Sequence, residues 1–531
     1  MKYLLLFMKY LLLFILFVVS ALADAQVVTP WRIQNMTEQD KAEAAGGLDY
    51  SRLKMVGDTA TAPLPHLGSP KVPVILVQFK NKKFSVADTD EGVVELYDQF
   101  FNAGEGVMPG QEGNESACSV REYFRQQSGG LFTPEFSVYG PVTLSENYEY
   151  YGENSGGRQD PNIGAFYSET CKLAVRDFQV DWTEFDNRDN GKVGFVFFIY
   201  AGKGENTTSN PQSPEYDPNN IWPKEGASSK TISYDDKSVT FGAYGCTSEL
   251  YLNGQDGIGV TVHELGHGLG LPDMYDTNYK SFGMDMWDVM DSGCYGMTGR
   301  WPCNYTAYER DFMGWFPLET LDPDEEYTLT LESFEKGGKA YKLPNKESAN
   351  EYLILENRQG EGMDSYLCCV TQGFYNVFGA AHGLLVIHVD YSSSAWKGNY
   401  VNTSASHQRM TIVPADGELL SNVNGFTNEH AESLHGDLYP GNKGTTELTS
   451  YAAFAGEQFT FTLNNIRETD DGKIILDING GDLTAIDEVG ESSDDISYKD
   501  IYSVSGMRLQ SLQKGFNIVR TADGKLRKIL R

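Results

Sequence analysis

The chain has 531 residues, too many for a single hydrophobic core, so about two to four domains are expected. Its 42 Lys+Arg stand against 74 Asp+Glu, a formal net charge of −32, and so acidic a surface argues against nucleic acid or anionic membranes as partners. A hydrophobic content of 40% excludes wholesale disorder.

The N-terminus, "MKYLLLFMKYLLLFILFVVSALADAQ", repeats MKYLLLF at 1–7 and 8–14. An apolar run from Tyr10 to Val19 follows Lys9 and precedes Ala21, Ala23 and Ala25. This reads as a signal peptide over residues 1–23, with Ala25 as the other cleavage point, and Met8 as an alternative start. The run falls short of the ~20 apolar residues that span a bilayer. The protein is therefore expected to be exported, secreted or at the cell surface, with no transmembrane anchor after processing. Of the 7 cysteines, Cys294 and Cys303 are close enough in sequence to staple one loop.

Residues 24 to about 66 are polar, with one short helical pattern, and "PLPHLGSP" reads as a linker. "KVPVILVQF" is an apolar strand that opens a new domain. "SVREYFRQQSGG" and "FYSETCKLAVRDF" are helical patterns, and "KVGFVFFIYAG" is a buried strand. After about residue 317, short strand patterns such as "EYTLTLESF", "EYLILENR", "GLLVIHVDY", "EQFTFTLNNI" and "GKIILDI" alternate with turn residues. That predicts an all-β, sandwich-like domain. "GESSDDISYKD" is a polar linker, and the tail from Lys499 turns basic.

Between these regions lies "TVHELGHGLGLPDMYD". His263 and His267 are four apart, so on a helix both imidazoles reach one ion from the same face. Glu264 is adjacent, where it can activate a water without ligating. Gly270 ends the helix through a left-handed residue and Pro272 prevents its continuation. The chain then doubles back to present Asp273 as a third ligand. Zn²⁺ suits two imidazoles and a carboxylate. Glu309 in "YERDFMGW" and Glu356 in "LENRQ" compete with Asp273 for that third place. Further on, "WDVMDSGCYG" puts Met290 in a tight turn of the metzincin kind, an apolar floor beneath the metal. Tyr295 soon after is a candidate oxyanion stabiliser.

These residues resemble the immune-inhibitor-A-type secreted metallopeptidases, whose pattern H-E-[FL]-[GS]-H-x-x-G-L-P-D-x-Y-D is matched by 263–276. Flanking matches include "SVREYFRQQSGGLFTPEF", "WDVMDSG", "YERDFMGWF" and "HGDLYPG", so the resemblance covers roughly 68–445. It implies a prodomain (24–67), an α/β zincin peptidase domain of metzincin-like type (68–317) and a β-rich domain (318–481), then a linker (482–498). Residues 499–531 resemble the C-terminal sorting segments of exported Bacteroidota proteins, which would be read by a secretion machinery. Family members often carry a calcium loop before the strand written here "KVGFVFFIYAG". This chain keeps Asp186 and Asp189 but has Arg188 where an oxygen ligand belongs, so Ca²⁺ is a weaker expectation beside a plain acidic turn. The insert at 368–383 receives no role.

The resulting expectation is a secreted zinc endopeptidase, made as a zymogen and acting on proteins or peptides. An exported adhesin or glycan-binding protein with a vestigial zincin domain is the rival.

Overall fold

The computed structural model describes residues 62–530 apart from 209, 235–236, 253, 370–378, 421–427, 481–488, 492–497, 504–507, 510, 513, 515 and 522–525. The signal peptide, most of the expected prodomain and the middle of the 368–383 insert lie outside the described residues. No described helix is long and apolar enough to cross a membrane.

The first sheet is built on β1 (Lys71–Gln78), β2 (Glu135–Thr143), β3 (Lys192–Lys203), β4 (Lys224–Tyr234), β5 (Lys237–Tyr251) and the short β6 (Gly254–Gln255). Its order is β2-β1-β3-β5-β4, with β6 on β5. Pairs β1–β2, β1–β3 and β3–β5 are parallel, and β4 closes one edge antiparallel to β5. Strands buried on both faces need apolar residues at every position, which "KVPVILVQF" and "KVGFVFFIYAG" supply. Successive side chains point to opposite sides. Val72, Val74 and Leu76 join Phe195, Phe197 and Ile199 on one face, whereas Ile75, Val77, Val196 and Phe198 point to the other.

Helices α1 (Asp90–Asn102) and α2 (Val120–Gln127) contribute to the first face, and Ser119 caps α2 through the Glu122 N–H. The short α3 (Tyr148–Gly152) and the longer α4 (Ile163–Phe178) cover the second. The motif helix α5 (Ile258–Gly268) lies on the first face, and α6 (Ala307–Phe312) follows it.

Two further sheets follow. The five-stranded one runs β12-β11-β10-β9-β7, made of β7 (Glu319–Thr320), β9 (Tyr341–Asn345), β10 (Ser348–Arg358), β11 (Gly383–Asp390) and β12 (Met410–Ile412). The three-stranded one is β13-β14-β8, from β8 (Tyr327–Leu331), β13 (Leu463–Glu468) and β14 (Ile474–Ile478). Leu353, Leu355, Leu384 and Val386 pack with the three-stranded sheet in one cluster. Their neighbours Ile354, Leu385, Ile387 and Val389 belong instead to the core that contains α5. The five-stranded sheet thus shares a core with the peptidase region.

This region is not all-β as expected. It contains α7 (Ser393–Lys397) and α8 (Asn428–Asp437), short polar helices whose weak periodicity is easily read as loop. The strand expected across "EQFTFTLNNI" begins only at Leu463. In the tail, β15 (Val489–Glu491), β16 (Tyr498–Ser503), β17 (Arg508–Leu509), β18 (Phe516–Thr521) and β19 (Leu526–Leu530) form a sheet of their own. Its first strand falls inside the stretch read as linker. All seven cysteines are buried free thiols, so Cys294 and Cys303 do not bridge.

Candidate metal centre

Helix α5 is glycine-rich because its neighbours press on its backbone. A Cβ on Gly259 would stand 1.8 Å from the Cys294 carbonyl oxygen, and one on Gly266 2.5 Å from the Met290 sulfur. Met290, fully buried, therefore packs directly against the helix turn between His263 and His267. Gly270 adopts φ +89° and ends the helical run.

The two imidazoles are aimed by backbone carbonyls. His263 Nδ1 bonds Val289 O at 2.9 Å and His267 Nδ1 bonds Leu271 O at 2.8 Å. A carbonyl can only accept, so each Nδ1 carries a proton, which in the neutral ring leaves the Nε2 lone pair free for an ion. Both Nε2 atoms lie 3.2 Å from Asp273 Oδ1. Among the described residues, His263, His267 and Asp273 are the one group of three metal-ligating side chains whose donor atoms converge, all within 4.8 Å. Burial alone would raise Asp273, but His267 and His263 hold its carboxyl well below the usual range. Burial lowers both imidazoles, and Asp273 outweighs it and raises them.

Glu264 is 4% exposed. Burial pushes its carboxyl up to about 7, opposed by His263 and His267. Its Oε2 and Asp273 Oδ1 are buried without a hydrogen-bond donor. Orphaned acceptors beside two imidazole lone pairs fit a divalent cation and a water molecule.

The competing glutamates are engaged elsewhere. Glu309 accepts from the Thr306 hydroxyl, and Asp288 is its carboxyl neighbour. Glu356 accepts the Ala307 N–H at 2.9 Å and pairs with Arg310 at 2.5 Å, tying β10 to the start of α6. Tyr295 stacks on Tyr251 at 5.8 Å and accepts from Asn206 at 3.5 Å. The phenol stacked beside a ligand ring is Tyr275, whose ring centre is 6.5 Å from that of His263. Tyr275 lies within the motif, but nothing in the sequence marks it for a role. The same holds for Glu225 on edge strand β4, where burial raises the carboxyl and His267 lowers it.

The segment weighed as a calcium loop is the acidic turn. Asp186 accepts backbone N–H groups from Arg188, Asn190 and Gly191 at 3.3, 3.0 and 2.6 Å. Arg188 instead donates to the carbonyls of Ala62 and Leu64 at 2.8 and 3.1 Å. Asp189 sits at φ +50° in that turn. Neither Asp186 nor Asp189 belongs to a converging ligand group among the described residues.

Residues 218–315, which carry the trio, match the family model described as "Immune inhibitor A peptidase M6, catalytic domain". The chain is 26% identical over 279 residues to Immune inhibitor A of Bacillus thuringiensis subsp. alesti, covering 46% of this chain and 39% of that protein. It is 25% identical over 227 residues to the pre-pro-metalloprotease PrtV of Vibrio cholerae serotype O1, covering 38% of this chain and 24% of that protein. The match thus spans well under half the length of either relative. This homology supports a metallopeptidase and does not favour the vestigial-adhesin alternative.

Proposed function

We propose that this chain is a secreted zinc endopeptidase, made as a zymogen, with His263, His267 and Asp273 as metal ligands and Glu264 as general base. The observation that carries this reading is the convergence of two oriented Nε2 atoms and Asp273 Oδ1 beside a buried carboxylate. Zinc bound there would polarise the scissile carbonyl and acidify the attacking water. Glu264 takes the proton from that water and returns it to the leaving amine. Its carboxyl, raised towards neutrality, is suited to both directions of transfer. Met290 supports the ligand helix from below. Tyr275, beside His263, is a better-situated partner for the developing oxyanion than Tyr295.

Export rests on the N-terminal signal-peptide pattern, and the zymogen on the family resemblance and the pre-pro designation of the PrtV relative. Residues 62–67, the end of the stretch 24–67 read as the prodomain, pack against α5. The region after 317 is read as a sandwich-like module docked on the peptidase core, and the tail from 499 as a sorting segment.

Glu264→Ala should retain zinc and lose casein hydrolysis by at least about 10²-fold, since general-base transfer contributes on that order. Metal analysis beside zymography of the purified protein tests this. Near-wild-type turnover would remove Glu264 from the role.

A further inference from the structure

Asp273 does not hold its orientation alone. Its backbone N–H donates to Asn399 Oδ1 at 2.7 Å, and its Oδ2 accepts from Asn399 Nδ2 at 2.6 Å. One amide thus brackets both the main chain and the carboxylate of the same residue. The pairing fixes the amide's sense, because an N–H can face only the oxygen and a carboxylate only the NH₂. With Oδ2 engaged, Oδ1 is the oxygen left 3.2 Å from both imidazole nitrogens.

Asn399 belongs to the β-rich region, 126 residues further along the chain. It stands just past α7 at φ +55°, a left-handed conformation that asparagine tolerates better than most residues. Its N–H reaches the Trp396 carbonyl at 3.3 Å, and the next residue's N–H reaches Ala395 O at 3.0 Å. The backbone bearing the amide is therefore set by α7. Asn399 itself is exposed while Asp273 is only 6% exposed, so the amide acts from the solvent side as a cover on a buried ligand.

We propose that Asn399 is a positioning residue of the metal centre, holding Asp273 so that Oδ1 faces the two imidazoles. The inference rests on the reading of His263, His267 and Asp273 as the zinc site. It makes the β-rich region part of that centre. No other residue type of this length offers one donor and one acceptor in the required places. Aspartate would set a second carboxylate against Asp273, and alanine would free the ligand to rotate.

The test uses the full-length purified chain with zinc alone as the ligand, titrated against a chromophoric chelator. Asn399→Ala is expected to weaken zinc binding by about 10–100-fold, the usual cost of losing a partner that orients a ligand. Asn399→Asp should weaken it at least as much although its side chain has the same shape. Both should keep the wild-type circular dichroism, since the position is exposed. The cobalt(II)-loaded variants should show altered ligand-field bands, which a purely structural role would not change. Unchanged zinc affinity and an unchanged cobalt spectrum in both variants would overturn the assignment of Asn399 while leaving the zinc site standing. Failure of wild type to bind zinc, or His263→Ala binding as tightly as wild type, would instead overturn the site itself, and the inference with it.

Discussion

At the C-terminal end of α5, residues 62–67 lie against the helix as a strap, while at the loop after it residues 399–411 act as a clamp. Both come from outside the segment 68–317 that the sequence marks as the peptidase. The strap is largely apolar: Ala62 and Leu64 are buried, and a Cβ on Gly270 would touch Ala62 at 3.4 Å. Its polar groups finish the helix. Leu64 N–H reaches Gly268 O at 2.8 Å and His66 Nε2 reaches Leu269 O at 2.7 Å, satisfying carbonyls that a helix end leaves unpaired. The clamp is made of amides and hydroxyls. Asn402 Nδ2 bonds Met274 O and Met410 O at 2.6 and 2.7 Å, Thr411 bonds Gly283 O at 2.7 Å, and Gln408 accepts the Gly283 N–H at 2.6 Å. Apolar contact resists removal but tolerates reshaping; directional bonds fix geometry and tolerate little. The strap should therefore govern stability, and the clamp the position of the ligand loop.

The largest effect should come from the strap. Leu64→Ala is expected to cost about 2–5 kcal/mol, as for other buried leucines, whereas Leu64→Met should cost less than about 1.5 kcal/mol because volume is kept. Denaturant unfolding of the metal-free protein measures both. Equal losses would mean that shape, not burial, decides the strap's contribution.

Next comes a pH effect at the same place. Burial pushes the His66 imidazole down from 6.5 to about 4, only partly offset by its bond to Leu269. The unfolded chain therefore takes up the proton first as pH falls. The His66 contribution is whole above about pH 6.5 and is lost as pH drops towards 4, a loss of about 3 kcal/mol on this single group. In His66→Gln the difference from wild type should shrink across that window. A gap that stays constant from pH 7 to 4 would show that His66 is not held neutral.

Much of this was legible in the sequence and some was not, for physical reasons. The spacing of His263 and His267, and the stop at Gly270 and Pro272, are local facts of helix geometry, and the structure has them as expected. In sequence the strap reads as a linker because Pro63 and Pro65 carry a loop signal. Its alternating burial at Ala62, Leu64 and His66 becomes meaningful only with the helix above it. Likewise "EYLILENR" and "GLLVIHVD" announce two buried faces, but nothing local says that one face belongs to the peptidase core. Arg188 warned against calcium, yet its true partners, the carbonyls of Ala62 and Leu64, are more than a hundred residues away in sequence. Nearness to Met290 along the chain points to Tyr295, but only the folded chain shows which phenol stands beside a ligand ring, that of Tyr275.

The clamp gives a smaller stability change with a different signature. Asn402 is fully buried and its three hydrogen bonds join Met274 to β12. Asn402→Leu has similar size but strands those partners, at about 1–3 kcal/mol. Unlike Leu64→Met, it fails despite conserved volume, and it should also lower zinc affinity because Met274 adjoins Asp273. If Asn402→Leu proves as harmless as Leu64→Met, the two grips do not differ in kind.

The smallest effect should come from a third outlying region, which tests whether position outside 68–317 matters by itself. The strands of the tail hydrogen-bond to one another as a separate sheet, with β15 paired in parallel to β19. Removing only residues 499–531 would strip β15 of that partner and leave an unpaired edge prone to association. The cleaner deletion is therefore 482–531. It should leave zinc affinity and casein hydrolysis within about twofold of wild type, since neither grip on α5 is touched and a surface change away from such features costs within about 0.5 kcal/mol. Fractionation of the native host should find the shortened protein in a different compartment, as a sorting segment requires. Full activity with unchanged location would remove the sorting role. Lost zinc binding in the shortened protein would mean that the tail is a third support of the metal helix, and that the contrast between strap and clamp is incomplete.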